Sequence, residues 1–369
     1  MENSHGCFLL DFDQFKVIFA GTAFRANPVD RHVFPAGAGL DAFIGYAYGF
    51  VVDEATDQAH VGFVFGGVVR GHCSDSFQIE LHFKSIAPPI LVADTPPIVL
   101  SFAASDPSGG AGVQADLMTL ASLGVHPLSV ITALTVQDTM GVEDTLAIDA
   151  DWISDQARCV LEDVPVGAFK VGLVASVESV ATIAEIVADY PDVPLVLDPV
   201  LASGRGDELA SEDVIAAMCE LLLPQTTVLT PNSHEARRLA SEDSEEAADL
   251  SLDECAAALL DMGPEYVLVT GTHENTVDVS NALFTAGGLV RTDRWKRLPG
   301  SYHGSGCTLA AAIAANIAHG LDIPDAVHSA QEYTWQTLRF AYRAGMGQLV
   351  PDRFFWARDD EAADEGRPD

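Results

Sequence analysis

From residue 98 onward the chain alternates short apolar runs with amphipathic stretches of helical period. PIVLSFAA (97–104) reads as a buried strand, AGVQADLMTLASLG (111–124) as an amphipathic helix closed by Gly124, and HPLSVITALTVQ (126–137) as the next strand. Further strands are expected at AFKVG (168–172), VPLVLDPV (193–200), TTVLTP (226–231) and YVLVTG (266–271). Helices are expected between them near 151–163, 176–189, 211–222, 233–240 and 251–262. After Gly271 the pattern predicts a hairpin over ALFTAGGLVRTDRW (282–295), a long helix from Thr308 and a second from about Pro324 to Ala344. Apolar strands alternating with helices of this length predict an α/β fold whose mainly parallel sheet is covered on both faces, with ligands gathering at the carboxyl ends of the strands.

Residues 1–94 break this pattern. They hold 12 of the 18 phenylalanines and only 11 of the 54 acids, and their apolar clusters, such as FVVDEATDQAHVGFVFGGVV, have no helical period. Two readings follow: a small β-rich appendage, or sequence translated from a misplaced start codon ahead of a domain that begins near Ile98. The expected organisation is therefore a segment of unassigned structure over 1–94, a catalytic domain over 95–358, and an acidic disordered tail over 359–369, with SIAPPILVADTPP (85–97) as the joint.

The formal charge of −35, with 19 basic against 54 acidic residues, argues against nucleic acid as a partner and for a small-molecule ligand. Such acidity also suits a protein that stays soluble in high internal salt. No run of about 18 apolar residues suggests a membrane span, and the N-terminus lacks a secretory pattern, so a cytoplasmic protein is expected. The six cysteines are scattered without metal-site spacing, and free thiols are the expectation.

Candidate chemistry lies in two glycine-rich turns, SDPSGGAG (105–112) and HGSGC (303–307), each between a strand-like and a helix-like run. Glycine lets backbone amides approach an anion, and a helix start adds about half a positive charge. Neither turn has the spacing of a P-loop or of a dinucleotide fingerprint. Gly304 and Gly306 would aim successive N–H groups into one concavity, and the helix dipole is expected to lower the pKa of Cys307 so that it accepts a proton or orients a hydroxyl. A small packing residue behind a tight turn is the alternative reading of Cys307.

In the first turn Gly109, Gly110 and Gly112 permit close approach to a ligand, and Asp106 can cap the turn or accept from a hydroxyl. Gln137, ending a strand, can donate and accept side by side, which suits an aminopyrimidine. Asp116 reads either as a second polar contact or as a solvated helical acid. Asp198, Asn232 and Glu235 offer oxygen ligands for Mg²⁺ carrying nucleotide phosphates, although Asn232 and Glu235 also fit a helix cap. Lys170 and Arg205 are cations placed to meet phosphate.

These segments resemble the hydroxymethylpyrimidine/phosphomethylpyrimidine kinases of thiamine biosynthesis, within the ribokinase-like superfamily. The resemblance spans about 97–356 and is carried by SDPSGGAGVQADL, ALTVQDT, FKVG, LDPVLASGRGD, TPNSHEA and HGSGCTLAAAIA in the family's order. It implies a ribokinase-like three-layer α/β/α sandwich. The implied reaction is transfer of the γ-phosphate of ATP, with Mg²⁺, to 4-amino-5-hydroxymethyl-2-methylpyrimidine and then to its monophosphate. It implies Gln137, with Asp116, Gly110 and Asp106, on the pyrimidine side, and Cys307, Gly304 and Gly306 at the anion hole. Thr230, Asn232, Thr270 and Ser305 would lie on the nucleotide side, Asp198 and Glu235 at the metal, and a homodimer is implied as the assembly. The chain departs from the family in having Ala104 before SD, and TGTH (270–273) where KGGH is common, which removes one lysine contact to nucleotide. A pyridoxal kinase and a non-catalytic pyrimidine sensor are the competing readings.

Overall fold

The computed structural model describes residues 95–203, 206–241 and 249–358 in full and, of residues 1–94, the backbone of five strands. Arg205, the tail over 359–369 and the side chains of residues 1–94 lie outside the described residues. The chain divides at Asp94 into two units. In the first, strands Lys16–Phe19 (β1), Thr22–Ala26 (β2), Phe43–Asp53 (β3), Gln58–Val69 (β4) and Lys84–Ser85 (β5) pair antiparallel in chain order.

The second unit is built on a nine-stranded sheet. Its centre is parallel and comprises Ile98–Ser105 (β6), His126–Gln137 (β7), Ala168–Val171 (β9), Leu195–Leu197 (β10), Val228–Leu229 (β11) and Tyr266–Thr270 (β12). One edge is closed antiparallel by Val142–Ala147 (β8), the other by the hairpin Asp278–Thr285 (β13) and Gly288–Lys296 (β14). The order β14-β13-β12-β11-β10-β9-β6-β7-β8 starts at β6 in the interior and winds outward both ways, the arrangement expected of alternating strands and helices.

Side chains alternate across the pleat into two cores. Leu100, Phe102, Phe169, Leu195, Leu197, Leu229, Val267 and Val269 face one layer, with helices Ala150–Leu161 (α2), Val177–Ala188 (α3), Glu212–Ala217 (α4), Ser233–Ala240 (α5) and Leu252–Asp261 (α6). Val99, Ala168, Val196, Val228 and Leu268 face the other, with Gly112–Ser122 (α1), Ser305–Ala318 (α7) and Ile323–Arg339 (α8). Helix α7 is buried on every side from Thr308 to Ala315, which its run of small residues allows. Helix starts carry their own caps. Asp149, Ser176, Ser211 and Asp322 each accept a backbone N–H of the first turn.

The elements expected at 193–200 and 226–231 shrink to three and two residues. Prolines 194, 199 and 231 flank them and supply no donor to the ladder. β8 carries no apolar pattern to announce it, because most of its side chains are exposed. Helix α8 ends at Arg339 rather than Ala344, since residues 342–350 instead bridge Tyr342 to Val350 and Tyr302 to Leu349. Among the described residues no helix is long and apolar enough to cross a membrane.

Phe169 is fully buried at the centre of the sheet, with ring centroids 6.2 Å from Phe102 and 6.1 Å from Tyr190. Phe169→Ala should destabilise the protein by about 3–5 kcal/mol through lost transfer energy and the cavity left behind. The urea unfolding midpoint reads this directly, and a midpoint within error of the parent would show that the two helical layers collapse into the space.

Candidate active site

The first glycine turn follows β6, where the parallel strands end and α1 begins. Asp106, 1% exposed, organises it. Its carboxylate accepts from Ser108 N (2.8 Å), Ser108 Oγ (3.0 Å) and Ala111 N (2.7 Å), and lies 2.9 Å from His303 Nε2. Burial raises the pKa of this acid, but the hydrogen bonds from His303, Ala111 and Ser108 outweigh it and leave the pKa below the ordinary value. Asp106 thus caps its own turn and bolts the two glycine turns together.

The second turn meets the first backbone to backbone. Gly304, at φ 77°, stands at the start of α7, and a β-carbon there would run into the Gly110 carbonyl and Ala111 Cα. Gly110 is equally constrained, because its missing side chain leaves the space taken by the His303 ring. No side chain caps the α7 start, so the first N–H groups of the helix remain available to an anion. Gly306 borders Asp198, whose two carboxylate oxygens lie 3.7 and 3.8 Å from where its β-carbon would be.

Beneath this helix start lies a cluster of charge. Lys170 and Asp116, each with a fully buried side chain, form an ion pair at 2.9 Å, and Asp116 also accepts from Ser101 Oγ at 2.6 Å. Burial works against the Lys170 charge, yet Asp116, Cys307 and Asp198 outweigh it and hold the ammonium above its ordinary pKa. Asp198 is pushed up to about 6, chiefly by burial, with Asp116 adding to the shift while Lys170 and a hydrogen bond from Cys307 oppose it. One of its oxygens, Oδ2, is buried without a hydrogen-bond partner. Glu235 is pushed up to about 8 by burial and by Asp198, against backbone hydrogen bonds from Asn232 and Leu201.

The expectation that the helix dipole lowers the Cys307 pKa is overturned. The thiol is pushed up to about 12, first by burial and then by Asp198 and Asp116, and Lys170 and a backbone hydrogen bond from Gly112 do not compensate. Cys307 is therefore a neutral thiol at physiological pH and not a base.

These groups line a cleft of about 580 Å³ at the carboxyl ends of the strands. Of the residues expected from sequence, Gln137, Asp198, Thr230, Asn232, Glu235, Thr270, Gly304, Ser305, Gly306 and Cys307 all border it, as does Lys170. Gly110, Asp106 and Asp116 do not. They stand behind its wall, where their contacts are with the protein itself. Asp116, fully buried against Lys170, is not the solvated helical acid that the sequence also allowed.

Asn232 and Glu235 form a full capping box. Asn232 Oδ1 accepts from His234 N (2.9 Å) and Glu235 N (3.0 Å), and Glu235 Oε2 accepts from Asn232 N (2.9 Å). The cap fixes both side chains at the cleft without withdrawing them from it. Further along, Thr272, His273 and Arg297 border the cleft, and Arg297 donates to the carbonyls of Thr272 (2.7 Å), Glu274 (2.9 Å) and Thr276 (3.0 Å). Gly271 N donates to Asn281 Oδ1 (3.1 Å), and Asn281 Nδ2 to Gln331 Oε1 (2.9 Å), which ties this loop to α8. The parts that sequence reasoning missed are this network, the pairing of Asp106 with His303, and Trp295, Trp335 and Gln348 in the wall. Asp106 and His303 each stand in a glycine motif, but their pairing, like the other contacts, joins segments far apart in the chain and no local pattern announces it. Among the described residues no group of three or more His, Cys, Asp or Glu is arranged to hold a metal ion by itself.

Comparison with known proteins is concordant. A family model described as phosphomethylpyrimidine kinase matches residues 106–352. A hydroxymethylpyrimidine/phosphomethylpyrimidine kinase from Mycobacterium tuberculosis is 42% identical over 269 residues, covering 72% of this chain and 96% of that protein. Among solved structures, phosphomethylpyrimidine kinase from Clostridium difficile 630 superposes with a TM-score of 0.56 at 31% identity, covering 66% of this chain and 99% of the other. Pyridoxal kinase from Staphylococcus aureus in complex with ADP gives 0.63 at 26% identity, covering 71% and 95%. The sandwich is thus the ribokinase-like fold.

The acidity of Glu235 makes stability depend on pH. Because its pKa rises from the ordinary 4.5 to about 8 on folding, the folded protein binds this proton more tightly than the unfolded chain does. Its contribution is fully present below about pH 4.5 and is lost as pH rises toward 8. Without divalent cations, Glu235→Gln should gain stability relative to the parent between pH 5 and 8, read as urea midpoints. Parallel pH curves for the two proteins would show that Glu235 titrates as an ordinary carboxylate.

Proposed function

Because this chain belongs to the phosphomethylpyrimidine kinase family, we propose that it transfers the γ-phosphoryl group of ATP to 4-amino-5-hydroxymethyl-2-methylpyrimidine and then to its monophosphate. The product would be the pyrophosphate used in thiamine biosynthesis. The observation that carries this reading is Gln137 on the same cleft as the uncapped α7 start and Cys307. Gln137 can pair with a ring nitrogen and an adjacent amino group, which fixes the pyrimidine by its polar edge. The enzyme so described is cytoplasmic and homodimeric.

The nucleotide side is formed by Thr230, Asn232, Thr270 and Ser305, with Thr272, His273 and Arg297 beyond them. ADP in the related pyridoxal kinase supports ATP as phosphoryl donor. Arg297 brings a guanidinium to the loop that lacks the family's lysine. Asp198 and Glu235 fit Mg²⁺, because Asp198 Oδ2 is a buried oxygen without a partner and burial leaves both acids short of positive charge. When bound there, the ion would neutralise phosphate oxygens and charge that develops on them.

Phosphoryl transfer of this kind asks the protein mainly for position and electrostatic stabilisation. The N–H groups at Gly304 to Cys307 face the charge of the transferring group, and Lys170 adds a fixed cation below them. Cys307, neutral, holds the attacking hydroxyl by hydrogen bonding while its own S–H points to Asp198. Asp198 is the acid ionised at neutral pH and is the group placed to receive the proton. Without divalent cations Asp198 takes up its proton as pH falls through about 6, so Mg²⁺ binding should weaken below that pH.

A coupled assay of ADP release with Mg·ATP tests the reading, comparing hydroxymethylpyrimidine, its monophosphate and pyridoxal at low and molar salt. Preference for pyridoxal would move the enzyme to that substrate. Gln137→Leu should raise KM for the pyrimidine by about 10- to 100-fold, because a buried polar edge is left unpaired. Cys307→Ala should lower kcat by about 100-fold with pyrimidine affinity retained, since a misplaced hydroxyl costs rate and not binding. Unchanged kcat in Cys307→Ala would remove its orienting role.

A further inference from the structure

Arg353 heads the large side chains that are almost wholly withdrawn from solvent, at 2% exposure, and it has no acidic partner in hydrogen-bonding contact. Its guanidinium is instead spent on the two glycine turns. Nη2 donates to the Gly110 carbonyl at 2.6 Å, and Nε donates to Thr308 Oγ1 at 3.1 Å. Thr308 Oγ1 in turn donates to the Gly304 carbonyl at 2.8 Å, so one fork grips the first turn directly and the second through a single hydroxyl. The backbone that carries Arg353 is itself held, its carbonyl accepting from Ser122 Oγ (2.5 Å) and Tyr333 Oη (2.8 Å).

A buried guanidinium stays charged, and its fork is rigid. Burying one without a carboxylate is costly, and a fold that only needed to fill the space would do better with an apolar residue. Here the charge lies behind the α7 start, close enough to Cys307 and Asp116 to interact with both. The segment matched to the family ends at residue 352, one short of this side chain.

We propose that Arg353 is a positioning residue for phosphoryl transfer: it sets the register of the two glycine turns and backs the α7 N–H groups with a full positive charge. The kinetic part rests on the function proposed above; the anion-binding part does not.

The test uses the full chain and its variants Arg353→Met, Arg353→Lys and Thr308→Val. Binding of inorganic phosphate alone is read by thermal stabilisation, and kcat and KM by ADP release. Arg353→Met should weaken phosphate binding and lower kcat, each by about 10- to 100-fold, with KM for the pyrimidine within about twofold. Arg353→Lys, which keeps the charge but not the fork, should recover phosphate affinity and only part of kcat. Thr308→Val should lower kcat severalfold without a fall in melting temperature that explains it, and the double variant should be no slower than Arg353→Met, since both cut one linkage. Should Arg353→Met fail to fold, Thr308→Val and Arg353→Lys carry the test.

The proposal is overturned if the parent does not bind phosphate, if phosphate binding is the same in parent and variants, or if folded variants keep kcat within twofold. If the parent turns over none of the three acceptors but phosphate binding still depends on Arg353, the substrate reading falls and the positioning role stands.

Discussion

Two glycine turns whose bolting residues lie 197 positions apart press against each other, backbone to backbone at Gly304 and Gly110, and the site depends on that contact. The Asp106 carboxylate reaches across it to His303, while Gly110 leaves no room for a β-carbon at Gly304 and the His303 ring leaves none at Gly110. Strand β6 and helix α1 set one turn, and helix α7 sets the other, so both cores of the sandwich must form before the anion-binding concavity exists. The fold supplies stiffness for that reason. Closely packed interiors do not deform smoothly, and a shift of either helix would open the concavity.

Electrostatics sets what so acidic a chain would need in order to hold phosphate. With a net charge of −35, long-range attraction of an anion is absent, and any affinity must come from groups close at hand. Lys170 and Arg353 are buried beneath and behind the helix start, where little water screens them. Asp116 fixes Lys170, and one backbone carbonyl and a hydroxyl fix Arg353, so both cations are held in place. The acids facing the same space, Asp198 and Glu235, carry raised pKa values because they share a desolvated region.

Cys307 shows how a local rule yields to its surroundings. A thiol in the first turn of a helix should ionise easily, and the dipole argument is sound for an exposed residue. Here burial and two carboxylates act on the same sulfur and raise its pKa to about 12. The thiol stays neutral and donates a hydrogen bond to Asp198.

The alternation of strand and helix, the mainly parallel sheet and the glycine turns were legible in the sequence, because periodicity and φ preference act within a few residues. The residues bordering the cleft at Gln137, Asp198, Asn232, Glu235 and Cys307 were legible too, since each sits in a short segment at a strand end or helix start. Tertiary structure alone decided that Asp116 is buried against Lys170, that Asp106 ties to His303, and that Arg353 grips Gly110 and Thr308. It also decided the acidities. A pairing is a matter of distance between segments far apart in the chain, and a pKa sums burial and charge from all of them; neither is a property of any stretch of sequence read by itself.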